Sequence, residues 1–598
     1  MSEANLGLDR SGNNNHFAVV NTTLAVDQVL DSPTNNFATF DPLSMGIAAF
    51  GGTLAEGNLR FNGTNGNYHT NARSTIAVQS GKWYAEFYVG TASADSTSVG
   101  ILGANSLNPP VDGSNLQQSN GSPSFSYESN GDKEVAPLKV TGNNNSTATA
   151  NWGAAYTSAG AIIAVAIDFD SAADGLIYFY KDNTLQTSTY MANDVSLAHS
   201  WHFAIGAYSD DVWIANFGQD SSFAGTKTAQ GNQDSGGVGD FYYAPPSGFL
   251  ALCTNNLPTP AVIPSEHFSI STWTGDGSEQ AITGAGFQPD WVWLKNTTSS
   301  VSSGIYDAIR GATKEIDSDS VASETTLAQG LKSFDTDGYT LGTDTSVGEN
   351  TAGFVGYNWL AGGGAGSSNT DGSINTGSTS VNVDGKFSIS TYTGNATEGA
   401  TVGHGLGVAP ELIMVSNVDT NGGWNIYHTA WGETKTAPLQ SYEPISTSSN
   451  IWNDTAPGTS VFTLGNNAAI NGNNQTYVAY SFASVPGYSK IGSYVGNGGA
   501  DGPFVNTGFR PRWVLIKAIT LYKAYLIRDT ARDINNPLDD GYQADLPNAQ
   551  NANTAEYAVD YLSNGFKVRN ADDVQNDGDV LFAYWAFAET PQKYSNAR

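Results

Sequence analysis

The sequence predicts an all-β chain of several domains, on three observations. Its 598 residues are too many for one hydrophobic core, so about three to five domains are expected. Aromatic residues make up 11% and charged residues 14%, with 67 glycines, a composition that suits short strands and turns. Apolar residues alternate with period two through one long stretch, and a block of about 100 residues, which is domain size, then recurs three times.

Residues 1–56 read as an irregular N-terminal segment. Asn13-Asn14-Asn15 and Asp31-Ser32-Pro33-Thr34-Asn35-Asn36 are turn chemistry. Phe17, Phe37, Phe40 and Leu43 are expected to anchor this segment on the domain that follows. Residues 57–250 contain the period-two stretch. Trp83, Ala85, Phe87 and Val89 alternate with Tyr84, Glu86 and Tyr88, and Ile163, Val165, Ile167 and Phe169 form one face of a second strand. An acidic turn at 171–175 leads into Ile177 and Phe179, which suggests a hairpin, and Lys181-Asp182-Asn183 is a polar turn.

These residues carry a resemblance. A strand ending Asp168-Phe169-Asp170 is followed by an acidic turn, then by Ile177-Tyr178-Phe179-Tyr180-Lys181-Asp182-Asn183. A last strand closes on Ala215-Asn216-Phe217-Gly218. The stretch is similar to a SPRY domain, whose first two strands resemble Gly81–Phe87 and Ser98–Ile101 here. The resemblance implies an antiparallel β-sandwich that binds partners through loops at one end and is not an enzyme. Fold alone does not fix function.

Pro258, Pro260 and Pro264 mark residues 251–265 as a stiff linker. The recurring block then occupies 266–365, 386–486 and 487–598 as three tandem β domains, with a Gly/Ser-rich joint at 366–385 and a smaller one near Val485-Pro486-Gly487. Each copy has a strand, an aromatic-x-Gly turn, then Gly286-Phe287-Gln288-Pro289, Gly407-Val408-Ala409-Pro410 or Gly508-Phe509-Arg510-Pro511 before an apolar strand. The copies end on Phe354-Val355-Gly356-Tyr357, Tyr477-Val478-Ala479-Tyr480 and Leu581-Phe582-Ala583-Tyr584.

The repetition tests the candidate chemical motifs. Asp335-Thr336-Asp337-Gly338 has the alternating oxygens of a calcium loop, but its counterpart is Leu562-Ser563-Asn564-Gly565. The turn persists and the carboxylates do not, so it reads as a hairpin turn. Thr274-Gly275-Asp276-Gly277 reads the same way. His404 has no histidine counterpart. Asp168 and Asp170 lie two apart on a strand end, where a structural role outweighs a catalytic pair. His199 and His202 fit no zinc spacing. No nucleophile elbow, P-loop or dinucleotide fingerprint stands in a strand-to-helix context. No catalytic residue, cofactor or metal site is therefore expected. Tyr127, Trp152, Tyr156, Tyr208 and Trp213 fall in or near loops of the SPRY-like domain and are the candidate partner- or glycan-binding residues. For Trp152 and Trp213 a place in the core is the competing reading.

The net charge of −31 argues against nucleic-acid binding. The single cysteine, Cys253, allows no disulfide framework and points to assembly in a reducing cytoplasm. No signal peptide and no membrane span is expected. The phrase Asp31-Ser32-Pro33-Thr34-Asn35-Asn36-Phe37, with Asp41-Pro42-Leu43, resembles a leader in virion proteins of marine bacteriophages, and so does the ending Tyr584–Arg598. That resemblance implies a virion structural protein, a tail fibre or similar appendage that attaches to the host surface without catalysis. It would be assembled in the host cytoplasm and exposed on the particle. Its expected partners are other tail or capsid proteins and a host glycan or protein, and a homo-oligomer, with a trimer favoured, is expected. The alternatives are a capsid decoration or fibre-shaft protein and, below that, a polysaccharide-degrading tailspike.

Overall fold

Alternating side chains on the Trp83 and Ile163 strands must bury one face, and they do so against a second sheet. In the computed structural model, which describes residues 30–32, 34–43, 45, 52–63, 69–93, 97–103, 116, 123–136, 147–171, 175–190 and 200–595, the chain divides into Met1–Pro258 and Thr259–Arg598. Phe17 and His199 lie outside the described residues.

The first unit is an antiparallel β-sandwich. One sheet runs in the order Thr53–Ala55, Arg60–Asn62, Val212–Asn216, Lys82–Thr91, Ile162–Asp168, Leu176–Lys181 and Thr184–Tyr190. The other runs His69–Arg73, Trp201–Tyr208, Ser98–Gly103, Ser124–Glu128, Lys133–Ala136 and Thr147–Thr149. Trp83, Phe87, Val165 and Ile167 of the first meet Val99, Ile101, Phe203 and Ile205 of the second in one core. Asp182 and Asn183 take φ of 48° and 62° in the two-residue turn between Lys181 and Thr184, a geometry that Asp and Asn tolerate. Phe40 packs on Phe87 and Phe217 and Phe37 bridges Cys253, so both phenylalanines anchor the N-terminal segment.

The alternation does not leave the other face of this sheet in water. Tyr84, Glu86, Ala164 and Ala166 are buried too, because Phe241, Phe249, Ala251 and Cys253 fold over them. Glu86 accepts the peptide N–H groups of Tyr242 (2.9 Å) and Tyr243 (2.7 Å) and a bond from Asn216. Burial still pushes its carboxyl up to about 7. Residues 251–257 are consequently not a linker. Leu250–Ala251 pairs in parallel with Trp83 and Tyr84, and the buried Cys253 thiol is out of reach of another chain.

The second unit contains three large sheets of one design. The first is ordered Phe268–Thr274, Gly353–Trp359, Trp291–Asn296, Gly304–Asp307, then Lys314–Asp317 and Thr325–Thr326. The second is ordered Ser378–Asn382, Phe387–Thr393, Thr476–Phe482, Leu412–Asn417 and Trp424–His428. The third is ordered Ser489–Val495, Leu581–Pro591, Phe509–Ala518, Leu526–Asp529 and Tyr542–Gln543. One face of each sheet has its own core: Val292 and Tyr339 in the first, Val415 and Phe462 in the second, Val514 and Phe566 in the third. The opposite faces meet in a single cluster containing Trp291, Trp359, Phe387, Phe482, Trp513, Trp585 and Phe587. The stretch 366–385 is an edge rather than a flexible joint, since Ser378–Asn382 pairs with Phe387–Thr393 and Ile374 bridges Val402.

The pairing corrects one alignment. Ile270, Ile389 and Ile491 pair with Tyr357, Tyr480 and Trp585. Trp585, not Tyr584, therefore stands where the other sheets have tyrosine. A one-residue slip on a strand exchanges the two faces, and Tyr584 accordingly lies in the third sheet's own core.

The three sheets close head to tail. Glu324 N–H donates to Val418 O (3.3 Å), Ile445 N–H to Ile519 O (2.9 Å), and Gln550 N–H to Thr297 O (3.0 Å), where the acceptors directly follow the three central strands. Beside these bonds Tyr480 Oη donates to Asp307 Oδ2 (2.7 Å), Tyr357 Oη to Asp529 Oδ2 (2.8 Å), and His428 Nε2 lies 3.3 Å from Tyr584 O. First joins second, second joins third, and third joins first.

Candidate functional site

The expected binding residues do not form a surface. Tyr127, Tyr156 and Trp213 are at most 1% exposed, and an aromatic face that no ligand reaches cannot stack on one. Tyr127 Oη donates to Ala154 O and Tyr156 Oη to Tyr127 O, so even their polar tips are spent inside. The core reading holds for Trp213. Trp152 is half-buried against Tyr127 and Phe179, and Tyr208 is half-buried at the end of its strand. His202 is buried with Nδ1 2.6 Å from Ser74 O. Asp168 pairs with Lys82 at 2.8 Å. Asp335 and Gly338 flank a two-residue hairpin turn, and Asp337 accepts the N–H groups of Gly284 and Gly286.

The aromatic surface lies instead at the junction of the second and third large sheets. Three aromatic side chains are exposed among the described residues, Tyr442 (52%), Tyr522 (69%) and Tyr594. The first two stand together, ring centroids 6.5 Å apart at 60°. They border an open concavity of about 260 Å³ whose polar lining includes Lys523, Gln543, Glu556, Asp572 and Asp573.

Local sequence explains the pairing of the two tyrosines. Tyr442 sits in the Ser441–Ile445 loop, tied down at Ile445 by the junction bond to Ile519. Tyr522 sits at a tight turn in which Lys523 N–H donates to Leu521 O (2.9 Å). Beneath both, Lys517 Nζ donates to Tyr442 O (3.1 Å) and Lys523 O (2.5 Å), with the Tyr525 ring 4.9 Å away. Burial lowers the pKa of this ammonium while the Asp545 carboxylate opposes the shift, and its two bonds to backbone carbonyls fasten one loop to the other. Lys523 Nζ pairs with Asp573 Oδ1 at 2.5 Å, and Asp572 Oδ1 accepts Val574 N–H.

The arrangement suits binding. Tyrosine faces offer apolar area at low entropy cost, and the rim offers acceptors and a few donors for a polar ligand. Sequence reading missed the pair because the two residues belong to different sheets. Once the junction bonds are placed, the positions three before each donor and three after each acceptor are Val321 and Asn421, Tyr442 and Tyr522, Pro547 and Ser300, and only one of the three junctions is aromatic.

Two other features are weaker. A small apolar cavity of about 30 Å³ among Trp293, Met414, His428, Leu515 and Trp585 lies against the shared core and is far below the ~300 Å³ at which ligand sites begin. Asp533, Asp539 and Asp540 bring carboxylate oxygens within 4.8 Å of one another. They already accept protein N–H groups, Asp533 from Asp539 (2.8 Å) and Asp540 from Asn553 (2.8 Å) and Gln550. No helix among the described residues is long and apolar enough to cross a membrane.

The SPRY domain of human HERC1 is similar at 17% identity over 29% of this chain and 96% of its own, TM-score 0.22. A human SPRY domain matches at 15% identity over 27% and 93%, TM-score 0.20. The carbohydrate binding module CBM66 of Bacillus subtilis matches at 6% identity over 30% and 93%, TM-score 0.20. No curated protein matches the sequence. Residues 263–591, the second unit almost entire, match a single family, and the chain belongs to it: Domain of unknown function (DUF7483).

Proposed function

We propose that this protein is a bacteriophage virion structural protein, a tail fibre or similar appendage, that attaches to the host surface by non-catalytic binding. The observation that carries the binding part is the Tyr442–Tyr522 ledge over its concavity. Large aromatics are normally buried, and two that are held exposed side by side by a buried lysine are built for contact. The virion part is supported by the leader at Asp31–Phe37 and the ending Tyr584–Arg598, which resemble phage proteins. The three large sheets already close on one another within one chain. Assembly with further copies, a trimer included, would therefore use other surfaces.

The test is adsorption. Purified full-length protein should bind host cells and block phage adsorption, and Tyr522→Ala should weaken both at least tenfold. A protein that is present on the particle yet neither binds cells nor competes would be a shaft or decoration component. Absence from the particle would refute the virion assignment. Turnover of a surface polysaccharide would replace attachment by cleavage.

A further inference from the structure

We propose that the Tyr442–Tyr522 concavity takes one amine-bearing sugar residue per chain, with the ring on the tyrosines and the ammonium toward Glu556 and Asp573. This rests on the attachment reading and names the ligand class for the same site.

Size comes first. About 260 Å³ is just below the ~300 Å³ at which drug-sized sites begin, which suits a single sugar ring rather than a folded peptide. Charge comes second. Among the side chains that line the concavity, Glu556, Asp572 and Asp573 outnumber Lys523 by two formal charges, with the Lys517 ammonium beneath the two loops, and the whole chain carries −31. Uronate or sialate polymers would be repelled both locally and at long range. An ammonium gains from the carboxylates and from the tyrosine faces together. Glu556 and Asp573 are exposed, so an incoming amine can share Asp573 with Lys523 without a buried charge being stranded.

Stoichiometry comes third. The three junctions are equivalent in backbone bonding, but Val321 with Asn421 and Pro547 with Ser300 supply no aromatic face. Of three junctions bonded alike, one thus carries the aromatic pair and its concavity.

The experiment is calorimetric titration of the full chain with glucosamine oligomers, their N-acetylated counterparts and uronic-acid oligomers, at low and physiological salt. The expected result is one site per chain and about tenfold tighter binding of the free amine than of the acetylated sugar, with the gap narrowing as salt rises. Tyr522→Ala, at a 69% exposed position, should abolish binding of both. Glu556→Gln should reduce only the preference for the amine. Equal affinity for amine and acetylated oligomers, or tighter uronate binding, would overturn the ligand class and leave attachment standing. Binding that survives Tyr522→Ala would overturn the site. If no oligomer binds while adsorption blocking persists, this inference fails alone. If blocking is absent too, the attachment reading fails with it.

Discussion

Replacing Tyr480 by phenylalanine removes one oxygen from the junction between the first and second large sheets. That hydroxyl donates to Asp307 Oδ2 at 2.7 Å. Asp307 is fully buried and keeps Arg310 Nε at 2.5 Å and the N–H groups of Ile309 and Arg310. The ion pair survives, so the loss is the hydrogen bond to a charged acceptor together with the longer one that Arg310 Nη2 donates to the same hydroxyl (3.3 Å), about 2 kcal/mol, rather than the 3–5 kcal/mol of a broken buried pair. An opening equilibrium should rise about thirtyfold at that cost. Hydrogen exchange of the full chain reads the effect locally. Because the sheets share one core and close head to tail, protection should fall together in Trp291–Asn296, Leu412–Asn417 and Phe509–Ala518. Tyr357→Phe, which frees Asp529 in the same way, should produce the same pattern, and Tyr584→Phe, which faces the third sheet's own core, should not. Loss confined to the two sheets that flank Asp307 would refute cooperative closure.

Two further outcomes are expected. Gly100 lies under the neighbouring strand, where an added Cβ would sit 1.8 Å from Phe125 O, so Gly100→Ala should destabilise the sandwich by more than about 2 kcal/mol in urea titration. Burial holds His428 at about 4 against an ordinary 6.5. The unfolded chain takes up a proton below pH 6.5 that the folded chain refuses until about 4, and stability must fall as pH drops through that window, by about 3 kcal/mol in all. Glu315 and Asp317, raised by burial to about 7 and about 6, titrate in the opposite sense. The measurable quantity is therefore the stability gap between native protein and His428→Gln, which should narrow by about 3 kcal/mol from pH 7 to pH 4.

Local pattern revealed what local pattern controls. Period two named the inward residues of the sandwich, Trp83, Phe87, Val165 and Ile167, whereas the three large sheets of the second unit share an order of four strands and differ at their edges, which no local pattern announces. What depends on distant chain was not legible. Glu86 reads as an outward polar residue until residues 217–253 cover it. Tyr127, Tyr156 and Trp213 were placed near loops, whereas Tyr127 and Trp213 lie on strands and all three belong to the core. The Ala-Tyr match that aligned Tyr584 with Tyr480 failed because similarity does not fix register, and hydrogen bonding does. Tyr442 and Tyr522 become a pair only when the second and third sheets meet.

Closure also explains a substitution that looks arbitrary in sequence. Two junctions use Asp-x-x-Arg, Asp307 with Arg310 and Asp529 with Arg532, and each meets a tyrosine hydroxyl. The third junction has His428 and Trp431, and there the facing strand carries Trp585, which has no hydroxyl to offer. A buried carboxylate at that point would lack both the tyrosine and the arginine, and an unpaired buried charge is among the costliest defects. Histidine satisfies the same backbone while neutral. Its Nδ1 accepts Ala430 N–H at 2.9 Å, as Asp307 accepts Ile309 and Asp529 accepts Ala531, and Nε2–H points to Tyr584 O. Trp431 stacks on it with centroids 4.9 Å apart, filling the place of the guanidinium. His428→Asp alone should therefore cost about 3–5 kcal/mol. Adding Trp431→Arg and Trp585→Tyr rebuilds the motif of the other two junctions, and urea titration should show at least half of that loss recovered. A triple variant no more stable than His428→Asp would mean that the three junctions are not interchangeable in their chemistry.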